Sequence, residues 1–203
     1  MVRAFDQLKA LPEVMTVSTV AAMLDLPSKS ASLYLSRWQK AGMTQALGER
    51  TGVHFNLVRN PEAPEERLMD ALQLLLPGAV IGGASALHAA GWTTQIPRSL
   101  ELIVPARPSL PQIPGVDPHQ RSNRWFRKIH DGLIREGTLP RMAPAAALAD
   151  AWISGLWRPD PDEIEWDEIP QGTLEAAFSL MGQPLPAEIE EVLVENSQFG
   201  FRF

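Results

Sequence analysis

A run of small hydroxyl and basic residues occupies positions 28–40, with the sequence SKSASLYLSRWQK. If this stretch is helical, its period of 3.6 residues places Ala31, Leu35 and Trp38 on one apolar side. The residues turned the other way are short or positively charged: Lys29, Ser30, Ser32, Leu33, Ser36 and Arg37. Small hydroxyls allow a close approach, and Lys and Arg bind phosphates and guanine edges. The pattern therefore predicts a helix that reads the major groove of duplex DNA.

The charge around this stretch agrees with that interpretation, because no acidic residue lies between Asp25 and Glu49. Ser28 is expected to cap the helix and to place its N-terminus near a phosphate. Lys40 is expected to contact the DNA backbone. The alternative is an ordinary pair of packed helices with a soluble outer surface, which is a common arrangement.

The interpretation as a DNA-reading helix requires another helix before residues 28–40. Ser18 is a good N-cap residue, and the positions after it bury Val20, Ala21 and Leu24 on one stripe. Residues 25–27, Asp-Leu-Pro, end this helix because proline lacks an amide donor and disfavours helical geometry before it. Residues 18–42 are thus predicted to form two helices joined by a tight turn.

Two short strands are predicted after Gly42, over residues 43–47 and 53–57, around the glycine-bounded loop GERTG. Arg50 at the tip of this hairpin is placed to meet a phosphate or the minor groove. Such a hairpin is the wing of a winged helix, and the alternative is a plain hairpin with a soluble arginine. Residues 15–17 are expected to pair with it, and residues 3–11 to form a further helix.

The chain is long enough for two modest domains, with 203 residues of which 45% are hydrophobic. The Pro-containing stretch 60–64 predicts a linker, so we expect a DNA-binding domain over 1–60 and a second domain over 61–203. Residues 1–60 carry 7 basic and 4 acidic side chains, whereas residues 142–203 carry 2 and 12. An acidic end repels phosphate, so DNA contact is expected in the first segment.

Within the second domain, residues 65–76, 83–90 and 144–156 predict helices, and residues 173–181 and 186–196 predict two more in an acidic C-terminal segment. Residues 99–104, 124–129 and 132–135 predict strands, with a proline-rich crossing over 105–118. Residues 71–97 lack charged side chains, but glycines and prolines interrupt them, so no membrane span is expected. The absence of cysteine and of an export signal favours a cytoplasmic protein.

The chain resembles the AbiEi-type antitoxins of bacterial type IV toxin-antitoxin systems. The resemblance rests on the segments LSRWQKAG and GVHFNL, on GGASALHAAGWTTQIP at 82–97, and on PRMAPAAALADAW at 140–152. It implies a transcriptional repressor whose N-terminal winged helix binds repeats in its own promoter. It also implies that the C-terminal domain counteracts a toxin with a nucleotidyltransferase fold.

An enzyme is the competing class, because Asp117 with His119 and His130 with Asp131 pair acids with histidines. These residues make a metal or acid-base site only if the strands that carry them are neighbours. No metal-ligand spacing or phosphate-binding loop supports that reading, so we expect neither catalysis nor a cofactor nor a metal. The basic and aromatic residues 121–128 are expected to form a strand, the alternative being a surface that stacks on single-stranded nucleic acid.

The sequence therefore predicts an α+β protein with an N-terminal winged helix-turn-helix and a C-terminal mixed domain, in which a small sheet is flanked by helices. The predicted function is sequence-specific DNA binding with negative autoregulation. The alternative function is a non-catalytic module that binds a protein partner and uses the winged helix only as a scaffold. The sequence does not predict an oligomeric state.

Overall fold

The computed structural model describes residues 2–156, 161–170 and 172–199. Over these residues the chain has a mixed α+β fold with ten α-helices and two small sheets. It divides into two compact units, of which the first is Met1–Gly78 with Ser109–Pro114 and the second is Ala79–Pro108 with Gly115–Phe203. The acidic C-terminal segment is described in part, because residues 157–160, 171 and 200–203 lie outside these ranges.

The first unit contains a three-stranded antiparallel sheet of order β1-β3-β2 and five helices. In the register of this sheet, Met15 and Ala46 both lie opposite His54. The predicted pairing of residues 15–17 with the hairpin is therefore confirmed at Met15 and Thr16. The elements in chain order are α1 (Val2–Ala10), β1 (Val14–Thr16), α2 (Val17–Met23), α3 (Ser28–Lys40), β2 (Thr44–Ala46), β3 (Val53–Asn56), α4 (Ala63–Glu66) and α5 (Leu68–Leu75).

The start of α2 differs from the prediction, because Thr16 and not Ser18 caps the helix. The Thr16 hydroxyl accepts a hydrogen bond from the Thr19 amide at 3.1 Å, which satisfies one of the amides left free at a helix start. Ser18 lies inside the first turn of α2. Its hydroxyl is 2.7 Å from the Thr16 hydroxyl, so it supports the cap without forming it.

The turn between α2 and α3 ends the first helix as predicted. Asp25 adopts a left-handed conformation with φ of 52°, which aspartate tolerates better than most residues. The Leu26 amide donates to the Ala21 carbonyl at 2.9 Å. Pro27 occupies the N-cap position of α3, and no side chain caps this helix. Ser28 was predicted as the cap, but it is the first helical residue because Pro27 already supplies the carbonyl that Ala31 bonds.

The predicted domain boundary after residue 60 lies inside the first unit. The chain continues into α4 and α5, and α5 packs against β1 and β3. Arg67, between these two helices, donates from Nε to the Glu13 carboxylate at 2.6 Å, and this hydrogen bond lowers the pKa of Glu13. Residues 61–78 therefore complete the first unit, and the predicted helix 65–76 is broken at Arg67.

The second unit is built on a five-stranded mixed sheet of order β6-β5-β4-β8-β7. Strands β5 and β6 are parallel, as are β4 and β8, whereas the pairs β4–β5 and β7–β8 are antiparallel. The elements are β4 (Val80–Ile81), α6 (Gly83–Ala89), β5 (Leu100–Pro105), β6 (Val116–Arg121), α7 (Asn123–Ile129), β7 (Leu133–Ile134), β8 (Arg141–Met142), α8 (Pro144–Ser154), α9 (Thr173–Met181) and α10 (Ala187–Phe199).

The basic and aromatic stretch that was predicted as a strand over 124–129 is helix α7. Ser122 caps it by accepting from the Trp125 amide at 3.3 Å, and Ile129 is buried one turn after Trp125. A spacing of four between these apolar residues fits a helix and not a strand. The sequence does not predict strand β6, because Pro118 and four polar residues obscure it. It lies at the edge of the sheet, where proline is tolerated.

Helices α6, α8 and α9 enclose the larger core of the second unit. Leu87, Leu148 and Phe178 are fully buried there. Helix α8 is alanine-rich, which allows close packing, and all of its residues from Ala145 to Ala151 are buried. Among the described residues, no helix is long and apolar enough to cross a membrane.

Candidate nucleic-acid interface

The outer side of α3 gathers nearly all the residues that the sequence singled out. The exposed members are Ser28, Lys29, Ser32, Leu33, Ser36, Arg37 and Lys40. Ser30 is only half-buried at the margin of this side, since it lies next to the inward-facing positions on the helix. The outer face of α3, defined as this set of eight residues, runs along the whole helix and contains no acidic side chain.

The inner side of α3 fixes the orientation of that face. Ala31 is fully buried, and Leu35 and Trp38 are only 1% and 3% exposed. They pack in one core with residues of α1, β1 and α2, among them Leu8 and Val20. Because helix rotation would expose these large side chains at about 1.5 to 3 kcal/mol each, the outer face is held toward solvent.

The cations of the outer face are not neutralised by acidic side chains of the described residues. Within the described part of the chain, Lys29, Arg37 and Lys40 form no ion pair. An acid three or four residues away on a helix can pair with a cation, but α3 contains no acidic residue. Its positive charge is therefore available to an anionic partner.

Arg50 lies at the tip of the hairpin formed by β2 and β3, as predicted. It is exposed and adopts a left-handed conformation with φ of 55°, which is uncommon for a residue with a side chain. The turn is closed by the Leu47 amide, which donates to the Val53 carbonyl at 3.0 Å. The Thr51 hydroxyl adds a bond to the Gly48 carbonyl at 3.1 Å. These bonds hold Arg50 in its strained conformation.

The segment Ser109–Pro114 packs against the same hairpin. Ile113 is 6% exposed, and a Cβ atom at Gly48 would lie 2.4 Å from the Gln112 carbonyl oxygen. Only glycine permits this close approach. The contact fixes the base of the turn that carries Arg50, and nothing in the local sequence of the hairpin indicates it.

A groove of about 570 Å³ separates α3 from the hairpin. Ser32, Ser36 and Gln39 line its helix side, and Arg50 and His54 line its hairpin side. Glu49 also borders it and is the one acidic residue among the lining side chains. The structure thus brings Arg50 to the same groove as two serines of the outer face.

His54 also lines this groove, although the sequence did not single it out as a residue of the interface. It is half-buried, and its buried Nδ1 atom has no hydrogen-bond partner among the residues that the structure describes. Burial lowers the pKa of His54, so the imidazole is held in its neutral form more strongly than in water. Val53 and Phe55 on either side of His54 are both buried, so His54 points to the other side of β3. This alternation is the feature of the sequence that indicates the orientation of His54.

The acid-histidine pairs do not assemble into one site. His119 Nε2 lies 3.5 Å from an Asp117 carboxylate oxygen on β6, whereas His130 contacts Arg135 next to β7. Strands β6 and β7 form opposite edges of the sheet, so the condition that their strands are neighbours is not met. No group of three or more potential ligands for a metal occurs in the ranges that the structure describes.

The ring of Trp125 is engaged inside the second unit. Its Nε1 donates to Asp150 at 2.7 Å, and its ring contacts Phe126 edge to face with centroids 4.9 Å apart. Base stacking requires an open ring face on an accessible platform. The Trp125 ring is partly buried and is held by this hydrogen bond and ring contact. The structure therefore does not favour the alternative in which residues 121–128 stack on single-stranded nucleic acid.

No protein-family model matches the chain, and no curated protein matches it. Among solved structures, the crystal structure of the RV2827C protein from Mycobacterium tuberculosis is similar, with a TM-score of 0.57 and 15% sequence identity. The match covers 95% of this chain and 80% of that one. At this identity the likeness concerns the fold alone: the described α+β arrangement is shared with a protein of known structure.

Proposed function

We propose that the first unit is a winged-helix DNA-binding domain in which α3 is the recognition helix and the β2–β3 hairpin is the wing. The observation that carries the proposal is the outer face of α3, where Lys29, Arg37 and Lys40 have no ion pair among the described residues. The order of α1, β1, α2, α3 and the hairpin also supports it, because α2 packs against the inner side of α3 through Val20 and leaves the outer face toward solvent.

The chemistry of each residue fits a role on duplex DNA. Ser28, Ser32 and Ser36 are short enough to let the helix backbone approach the base edges. Lys29 and Arg37 donate to phosphates or to guanine, and Lys40 and Arg50 meet the backbone on either side. The amides in the first turn of α3 have no capping side chain, so they are available to a phosphate at Ser28.

The test is a selection from randomised duplex DNA, followed by measurement of affinity against salt concentration. Four phosphate contacts, by Lys29, Arg37, Lys40 and Arg50, predict a slope of log affinity against log salt of about −3 to −4. Enrichment of one sequence with this slope supports sequence-specific binding. Failure to enrich any sequence, or a flat salt dependence, would reject it and favour the protein-binding module instead.

We propose further that the protein is a repressor and antitoxin of a type IV toxin-antitoxin system. The resemblance in residues 82–97 and 140–152 supports this role, together with the proposed DNA binding. The test is to co-express the chain with the product of the adjacent gene, if that gene encodes a nucleotidyltransferase fold. Restored growth is the expected result. Unrelieved toxicity would reject the antitoxin role and leave the DNA-binding proposal in place.

A further inference from the structure

One large apolar side chain is exposed in the middle of the outer face of α3. Leu33 is 53% exposed, although the same helix buries Leu35 almost completely. The core of the first unit does not include Leu33. The orientation of α3 that exposes the cations therefore also exposes the methyl groups of Leu33.

The surroundings of Leu33 on the helix are entirely polar. Its neighbours one turn away are Lys29 and Ser30 on one side and Ser36 and Arg37 on the other, since residues three and four apart are adjacent on a helix surface. No apolar neighbour on α3 continues a patch around Leu33. Leu33 is thus a single apolar side chain surrounded by hydrogen-bond donors and positive charges. Such a surface suits a polar partner that carries one apolar group.

The major groove of B-DNA has this character. Its base edges present hydrogen-bond donors and acceptors, and the C5-methyl group of thymine is the apolar group among them. A leucine pressed into that groove against any other edge group would desolvate a polar atom without a hydrogen bond, which is unfavourable. Leu33 therefore contributes favourable binding free energy only where a thymine methyl group lies opposite it.

We infer that Leu33 packs against the C5-methyl group of a thymine and selects duplex sites that carry thymine at that position. This inference rests on the proposed function and adds a sequence preference to it. The flanking Lys29 and Arg37 hold the helix on the backbone or on a neighbouring guanine, while Leu33 distinguishes thymine from the other bases.

The test uses a duplex enriched by the full-length protein, prepared with thymine and again with deoxyuridine at every thymine position. Deoxyuridine removes only the methyl group and keeps base pairing. Affinities are measured by fluorescence anisotropy at one salt concentration for the wild type, Leu33→Ala and Leu74→Ala. Leu74 is the matched control, because it is a helical leucine of the same unit with 56% exposure and lies outside α3.

The wild type should bind the thymine duplex about three to four times more tightly per contacted methyl, as expected for burying one such group. Leu33→Ala should bind both duplexes equally, and Leu74→Ala should keep the wild-type ratio. Equal wild-type affinities, or an unchanged ratio in Leu33→Ala, would overturn the inference and leave DNA binding intact. If no duplex is enriched at all, the proposed function fails and this inference fails with it.

Discussion

The side-chain amide of Asn56 donates from Nδ2 to the carbonyl oxygen of Leu8 at 2.7 Å, across 48 residues of sequence. Asn56 is fully buried at the end of β3, and Leu8 lies near the end of α1. The same Nδ2 is 3.3 Å from the Leu11 carbonyl, and the Asn56 Oδ1 accepts from the Arg59 amide. The Asn56 side chain therefore joins α1 to the three-stranded sheet of the first unit.

Replacing Asn56 with alanine should destabilise the first unit. The change removes the Nδ2 donor from the Leu8 and Leu11 carbonyls, which keep the Leu11 amide and Arg59 Nη1 as donors. Each hydrogen bond lost in this way costs about 0.5 to 1.5 kcal/mol. Urea unfolding followed by circular dichroism measures the change. Asn60→Ala is the control, because the hydrogen bonds of Asn60 to Glu66 and Glu62 are exposed. An equal loss in both variants would contradict this role for Asn56.

In the second unit, Asp150 is the one charged residue of α8, and its replacement should be strongly destabilising. Its carboxylate accepts from Arg121 Nε at 3.0 Å, from Arg121 Nη2 at 2.8 Å and from Trp125. Asp150 is 5% exposed, so Asp150→Ala leaves a largely buried guanidinium unpaired and should cost about 3 to 5 kcal/mol in unfolding free energy. Glu13→Ala, which breaks the exposed pair with Arg67, should have a much smaller effect. Equal effects would contradict the importance of burial at Asp150.

His54 should make the first unit less stable in acid. Burial lowers the pKa of His54 in the folded state, whereas the unfolded imidazole titrates near its ordinary value of about 6.5. The stability that neutral His54 contributes is present above that unfolded pKa and is lost as the pH falls through the folded pKa. Thermal unfolding between pH 7.5 and 5 should therefore show a smaller pH dependence in His54→Gln than in the wild type. Identical pH dependence would contradict the assignment to His54.

The local patterns predicted the helices and the hairpin of residues 1–60 well, whereas the single helix predicted over 65–76 is broken at Arg67. Ala31, Leu35 and Trp38 share one helical face that no other secondary structure would produce, so α3 was predictable. The helix caps were less predictable from the sequence. Thr16 and Ser18 are both suitable N-cap residues, and only the pairing of β1 with β3 decides between them. Whether α3 is a recognition helix stays a prediction.

Contacts between distant parts of the chain could not be predicted. Val116–Arg121 becomes a strand only because β5 lies beside it in parallel, and a sequence with Pro118 gives no sign of that partner. The packing of Gln112 on Gly48 likewise joins residues 64 positions apart. For His54, the burial that lowers its pKa comes from the fold and not from its neighbours in sequence.

The charge of the outer face tests the DNA-binding proposal most directly. Lys29→Ala with Arg37→Ala in one chain removes two cations that have no ion pair among the described residues, so the fold should be unaffected. Arg124→Ala with Arg127→Ala is the control, because it also removes two exposed cations from one helix, here α7. Affinity for a duplex enriched by the wild type is measured by anisotropy across a salt series.

The proposal predicts that the α3 double variant loses at least about tenfold in affinity, since one such arginine contributes about 1 to 3 kcal/mol when it reads a base. Its salt slope should become shallower by about 2 if both cations meet phosphates, or by about 1 if Arg37 reads a base. The α7 double variant should bind like the wild type. Equal affinity and an equal slope in the wild type and the Lys29 and Arg37 double variant would contradict DNA recognition by α3.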